Sequence, residues 1–340
     1  MLRPVSHPLS DLRPLALGEI IDRSATFWRK HLKTLFLLSL GFNLATYIVT
    51  KAMQLAMQRN LKVIQEAAAG RGDPSTVLVE YARFLAVLTG AMIVTFWLYW
   101  MSTLVVSRYV VPTLLGETVS PVEGLRRGLK RLGTLTGAFM LSLLWAVGAN
   151  LLMAIPGGLV TGAGAGLVAL SSGTGARLAG GVLLGVGVLL LLLGLAGGIL
   201  WYLLRFSLLA PVVAMEDLSA ASAFRRSGQL LSGRVEPGFL GRVTVRAMIL
   251  VTVVSVILLA VSLLSGLPAL LVQLAYRNPL DPASVAANPV PQLILVPTEL
   301  LQVAGQAVFS PLALVFYALF YLDMRVRREG LDLERRLEAR

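Results

Sequence analysis

Six stretches of this chain carry no charged side chain: residues 34–50, 84–107, 132–176, 178–204, 247–276 and 300–322. Nothing else in the sequence restricts the fold so severely. A helix needs roughly 20 residues to cross about 30 Å of hydrocarbon. In lipid every backbone N–H and C=O must be satisfied within the protein, which leaves helices as the spanning form for such runs. Only 14% of the residues are charged, where a soluble domain is nearer a quarter. The chain is expected to be an all-α, polytopic integral membrane protein.

The first span is expected over 34–57, its helix continuing to Ala69, where Gly70, Gly72 and Pro74 end it. Lys51 is placed to snorkel from the far end of that span. The second span covers about 80–111 and stops near Pro112. The uncharged run 132–176 would reach about 67 Å as a single helix. Span three is therefore expected to end at Pro156-Gly157-Gly158, with 159–177 a Gly-rich external or re-entrant segment; a seventh span there is the alternative. Span four, about 181–210, carries Gly181-xxx-Gly185 and Gly194-xxx-Gly198, spacings that let helix backbones approach closely. Span five takes about 242–270, the loop 277–297 lies outside, and span six takes about 298–322. The total is six.

The formal charge of +12 raises the question of nucleic acid, and its distribution answers it. Of 30 Lys and Arg, 23 lie in residues 1–33, 108–131, 205–246 and 325–340. Cytoplasmic loops retain positive charge, so both termini and the segments around Arg126 and Arg225 are expected on the cytoplasmic side of a bacterial inner membrane. No nucleic-acid partner is implied. The chain has no cysteine, which excludes disulfides and thiolate metal sites. Its start has basic residues but no apolar core after them, so no cleavable signal peptide is expected.

An internal repeat organises the rest. Pro112, Glu117, Ser120 and Arg126–Arg127 recur 99 residues later as Pro211, Glu216, Ser219 and Arg225–Arg226. A weaker third copy sets GEIIDRS, from Gly18 to Ser24, over VEGLRRG, from Val122 to Gly128. Ser120-Pro121-Val122-Glu123 has the composition of a capping box with proline at the first helical position. The helix it opens puts Val122, Leu125, Leu129 and Leu132 on one stripe. Residues 17–33 form a similar helix, with Ile21, Ala25, Trp28 and Leu32 on one face. Both are expected to lie in the membrane plane, apolar face in lipid and basic face toward phosphates. Arg126, Arg127, Arg225 and Arg226 are the candidate contacts to anionic headgroups or a partner. The expected architecture is three repeats, about 17–113, 114–213 and 214–324, each an amphipathic cytoplasmic helix followed by a membrane hairpin. A basic tail, 325–340, follows within one membrane domain.

Three segments carry a resemblance: LGEIIDRSATFWRKHLKTL near the start, RFSLLAPVVAMEDLSAASAFRRSGQLLSGR in the middle, and ALFYLDMRVRREGLDLE near the end. Together they resemble the bacterial polytopic family called the glycerophosphoryl diester phosphodiesterase membrane domain, most specifically in the string from Tyr321 to Asp332. The resemblance implies a membrane region only. No stretch of these residues alternates strands and helices as the phosphodiesterase barrel would, and it implies no catalytic activity.

No nucleophile elbow, zincin motif or phosphate-binding loop is present, and no cofactor is expected. Arg108 and Arg205, near the ends of apolar runs, are expected to snorkel to headgroups rather than form buried ion pairs. Polar stripes inside the spans are the sharper lead. Ser39, Asn43, Thr46 and Thr50 share a face of span one; Glu299, Gln302, Gln306 and Ser310 share a face of span six; Ser142 and Asn150 lie eight apart in span three. Such side chains turn inward, where they join helices or line a path. The candidate interior site is Asn43, Thr50, Asn150, Glu299, Gln302 and Gln306. If spans one and six face each other, Ser39 should be level with Ser310 and Thr50 with Glu299. The expected function is a non-enzymatic, membrane-embedded interaction or structural module; a small-solute or lipid transporter using these stripes is the alternative.

Overall fold

The computed structural model describes residues 13–68, 74–239, 241–276 and 290–330. Ten helices account for most of them: α1 (Leu17–Lys30), α2 (Leu32–Ala68), α3 (Pro74–Leu114), α4 (Pro121–Lys130), α5 (Leu132–Leu170), α6 (Thr174–Phe206), α7 (Leu209–Met215), α8 (Ala220–Leu230), α9 (Val243–Tyr276) and α10 (Gln292–Glu329). Among the described residues there is no strand, only an isolated bridge between Arg234 and Arg242. Six helices are long and apolar enough to cross a membrane: α2, α3, α5, α6 with α7, α9 and α10. The protein is a multi-pass, all-α membrane protein.

Two compact units emerge from the packing. One runs to Lys130 and resumes at Thr252; the other is Arg131–Val251. In the first, α10 packs against α1, α2 and α3 and is buried almost without break from Pro311 to Met324. The α10 helix outruns the expected span and takes in the first five residues of the basic tail. Asp323 with Arg327 and Arg325 with Glu329 form i,i+4 ion pairs that carry it on. Gly330, at φ 64°, ends it in the left-handed conformation that suits glycine.

The second unit corrects the expectation for 159–177. The α5 helix runs unbroken through Pro156 to Leu170, and α6 starts at Thr174. Residues 159–170 are therefore neither a loop nor a seventh span but the outer part of one hairpin about 58 Å long on its α5 side. The glycines that looked like a loop are its packing surface. A Cβ at Gly157 would collide with the Leu191 backbone, at Gly164 with Leu184, at Gly187 with Thr161, and at Gly194 with Met153. Gly180, Gly187 and Gly194 recur every seven residues on α6, matched by Gly157 and Gly164 on α5. A seven-residue repeat keeps one seam facing its partner along the whole length of a left-handed crossing. Of the two four-residue spacings read from the sequence, Gly194 and Gly198 meet α5, while Gly181 and Gly185 have nothing within 4 Å.

The short amphipathic helices lie alongside spans, not across their ends. Gly124 of α4 sits against Val105 and Gly128 against Met101, four residues up one helix matching four down the other. The α4 helix is thus antiparallel to α3, which corrects the in-plane expectation. Within the second unit α8 packs against α5, α7 and α6, with Phe224 stacked on Phe206 at 4.9 Å and Ser227 Oγ donating to the Arg205 carbonyl. In the first, α1 runs antiparallel to α10, from Leu15 bonded to Asp323 to Trp28 bonded to the Val308 carbonyl. Its buried face is Ile20, Ser24 and Phe27, one position round from the stripe expected at Ile21, Ala25 and Trp28. The shift arises because Trp28 spends its indole N–H on α10 and stacks on Phe309.

Candidate functional site

Among the described residues a run of polar contacts joins α2 and α10. Ser39 and Ser310 meet hydroxyl to hydroxyl at 3.0 Å. One turn along α2, Asn43 donates to the Ser39 carbonyl at 2.8 Å and lies 3.5 Å from Ser310 Oγ. Farther along, Glu299 accepts from Tyr47 at 2.8 Å and from Lys51, whose Nζ is 2.8 and 2.7 Å from its two oxygens. The Lys51 and Glu299 side chains are only 13% and 16% exposed. From Ser39 to Lys51 the ladder rises about 18 Å. It exists because small and polar side chains recur on one face of each helix and the helices run antiparallel.

The other candidates fall around this ladder or apart from it. Thr50 returns its hydroxyl to the Thr46 and Tyr47 carbonyls and contributes no cross-helix bond through that hydroxyl. Gln302 lies against Gly266 of α9, where an added Cβ would come within 3.3 Å of its amide nitrogen. Gln306 is half-buried one turn farther. Asn150 belongs to the second unit, where it donates to the Ala146 carbonyl and fills the space left by Gly198. It is part of the glycine seam.

Within the ladder, Lys51 pairs with Glu299 instead of snorkelling outward. Tyr47, aromatic in an apolar run, gives no polar signal in the sequence. The recoverable signal was depth: Lys51 adjoins Thr50, which the stripe geometry sets level with Glu299, so opposite charges at one level should have been paired.

Several arginines engage neighbouring groups. Arg108 donates to Glu123 at 2.8 Å in a partly exposed ion pair. Arg205 lies over the Trp145 ring at 5.5 Å, with Gly228 close against its guanidinium. Arg226 is bound to Glu216 at 3.0 Å, whereas Arg126 and Arg225 are exposed and Arg127 half-buried. A second polar feature is an open groove of about 380 Å³ lined by Tyr109, Thr113, Glu117, Thr118, Val119 and Ser120. Tyr109 also meets His31 Nδ1 at 2.9 Å. Burial, and then the neighbouring Lys30 charge, hold the His31 imidazole below its ordinary value, so the neutral ring is favoured there. Among the described residues no three His, Asp or Glu side chains converge as metal ligands.

Comparison with family models, curated proteins and solved structures finds no match to this chain. The site's chemistry alone therefore carries the functional argument.

Proposed function

We propose that this protein is a non-enzymatic scaffold of the bacterial inner membrane, with both termini in the cytoplasm. In this reading the spans hold one another in register and α1, α4 and α8 present a basic cytoplasmic surface to anionic headgroups or a protein partner. One observation carries the reading: the polar stripes of α2 and α10 are used on each other. Ser39 with Ser310, and Tyr47 and Lys51 with Glu299, are in direct hydrogen-bond contact, as helix-joining side chains are. A solute path needs such groups turned to a lumen.

The same reading groups the chain into three related repeats. Ile20, Gly124 and Ala223 are buried at matching positions of α1, α4 and α8, and so are Ser24, Gly128 and Ser227. The offsets are those of the sequence repeat, and each helix packs against a span. The resemblance of the three quoted segments to the phosphodiesterase membrane-domain family supports a membrane role and adds no activity.

Gln306→Leu tests the scaffold reading. A helix-joining polar side chain contributes about 0.6 kcal/mol on average, so this variant should insert, fold and melt within about 1 kcal/mol of the parent. In host cells it should support whatever phenotype deletion of the gene uncovers. Normal insertion with complete loss of that phenotype would favour the transporter instead.

A further inference from the structure

Of the three short amphipathic helices, α4 alone displays large apolar side chains to the outside. Val122, Leu125 and Leu129 are 68%, 41% and 54% exposed. At the outer positions of α1 stand Gly18, Asp22, Thr26 and Arg29, and at those of α8 stand Ala221, Arg225 and Gln229. The α4 stripe is not waiting for the rest of the helix to pack, because Gly124 and Gly128 already seat α4 on α3. At 3.6 residues per turn the helix shows three sectors in order: the glycine seam, the apolar stripe, and exposed Arg126 and Lys130.

Depth along α3 says what covers the stripe. Its charge-free run, 84–107, is about 36 Å long. Any 30 Å hydrocarbon slab fitted inside that run contains Met101, the residue beside Gly128. The C-terminal half of α4 therefore reaches the acyl boundary, while Val122, six residues earlier, stands nearer the headgroups. Arg126, level with Thr103 in that register, and Lys130, one turn deeper, can extend their charged ends back toward the phosphates.

We infer that α4 is a lipid-binding helix seated along α3, its Val122–Leu125–Leu129 stripe in the acyl boundary and Arg126 with Lys130 reaching the phosphates of anionic phospholipid. The inference deepens the scaffold reading, on which it rests for placing these spans in a bilayer. It singles out α4 as the lipid contact among the three helices.

The chain's lack of cysteine allows a nitroxide at Leu125→Cys in the full-length protein. The label is read in vesicles of phosphatidylcholine and in vesicles of equal parts phosphatidylcholine and phosphatidylglycerol. Expected are preferential relaxation by oxygen over a water-soluble nickel chelate, a deeper reading with phosphatidylglycerol, and loss of that difference in the Arg126→Gln, Lys130→Gln background. Each cation should contribute about fivefold to phosphatidylglycerol enrichment. Excess inorganic phosphate should not reverse the effect; reversal would reassign the site to a free anion. A label equally open to the chelate in both vesicles, or embedded without regard to lipid charge, overturns the proposal. Dipolar broadening between labels would assign the face to a second copy and overturn it too. A control label at Leu144→Cys, on the exposed face of α5, separates the failures. Oxygen access there with chelate access at Leu125 defeats only the α4 proposal, whereas chelate access at both defeats the membrane assignment.

Discussion

At the residue scale the tightest local device is the fork around Asp323. Its carboxylate, 1% exposed, accepts the Leu15 N–H and the Arg327 Nε–H at 2.8 Å each, and Arg327 Nη2 donates to the Leu15 carbonyl. One ion pair thus closes both backbone groups of Leu15 and ties the lead-in to α1 against α10. Removing one partner leaves a buried charge alone, which costs about 3–5 kcal/mol. Asp323→Ala should lower thermal stability by that order and open the chain ahead of Leu17 to protease. The double variant Asp323→Ala, Arg327→Met should be less damaged than the single one. A double variant as unstable as the single would show that the charge balance is not what holds Leu15. Both residues belong to the string that carried the family resemblance, yet periodicity could not assign them this role. A contact 308 residues apart in sequence leaves no local trace.

At the element scale the α5–α6 hairpin shows what was legible and what was not. The charge-free run announced apolar helices, and glycine four apart announced close packing. The length of α5 was misread because Pro156-Gly157-Gly158 has the local chemistry of a stop. Proline inside a spanning helix is tolerated because neighbouring helices and small local adjustments of the backbone re-satisfy the groups it frees. Gly157 is there because α6 backbone passes over it. The same physics separates glycines that four-residue counting treats alike. Gly187→Val should place a side chain into the Thr161 backbone and cost at least 1–3 kcal/mol, read as a lower melting temperature or lost yield. Gly185→Val, on the exposed face with nothing within 4 Å, should change stability by less than about 1 kcal/mol. Equal effects at the two positions would contradict the seven-residue seam. Spans one and six were legible for a related reason, since polar side chains three and four apart have one face to share. What the stripes could not reveal was that α4 runs back along α3 and α8 packs on α5, because glycine and serine at their packing positions look like nothing in a hydropathy pattern.

For the whole molecule the proposed scaffold role requires that the polar ladder between α2 and α10 join helices and hold no water path. Among the described residues the ladder lies between the first and the last of the six helices long and apolar enough to cross a membrane. The most direct measurement is access of a small, water-soluble, membrane-impermeant thiol reagent to single cysteines in intact and inverted vesicles. Thr118→Cys, exposed between α3 and α4, and Ser172→Cys, exposed between α5 and α6, calibrate the two sides. Thr118→Cys should react only in inverted vesicles and Ser172→Cys only in intact ones. Asn43→Cys and Gln302→Cys report on the ladder. Both should stay unreacted from either side while the unfolded protein reacts fully. Reaction of Asn43→Cys or Gln302→Cys in sealed vesicles, at a rate approaching the calibrating positions, would mean a water-filled cavity and contradict the scaffold account.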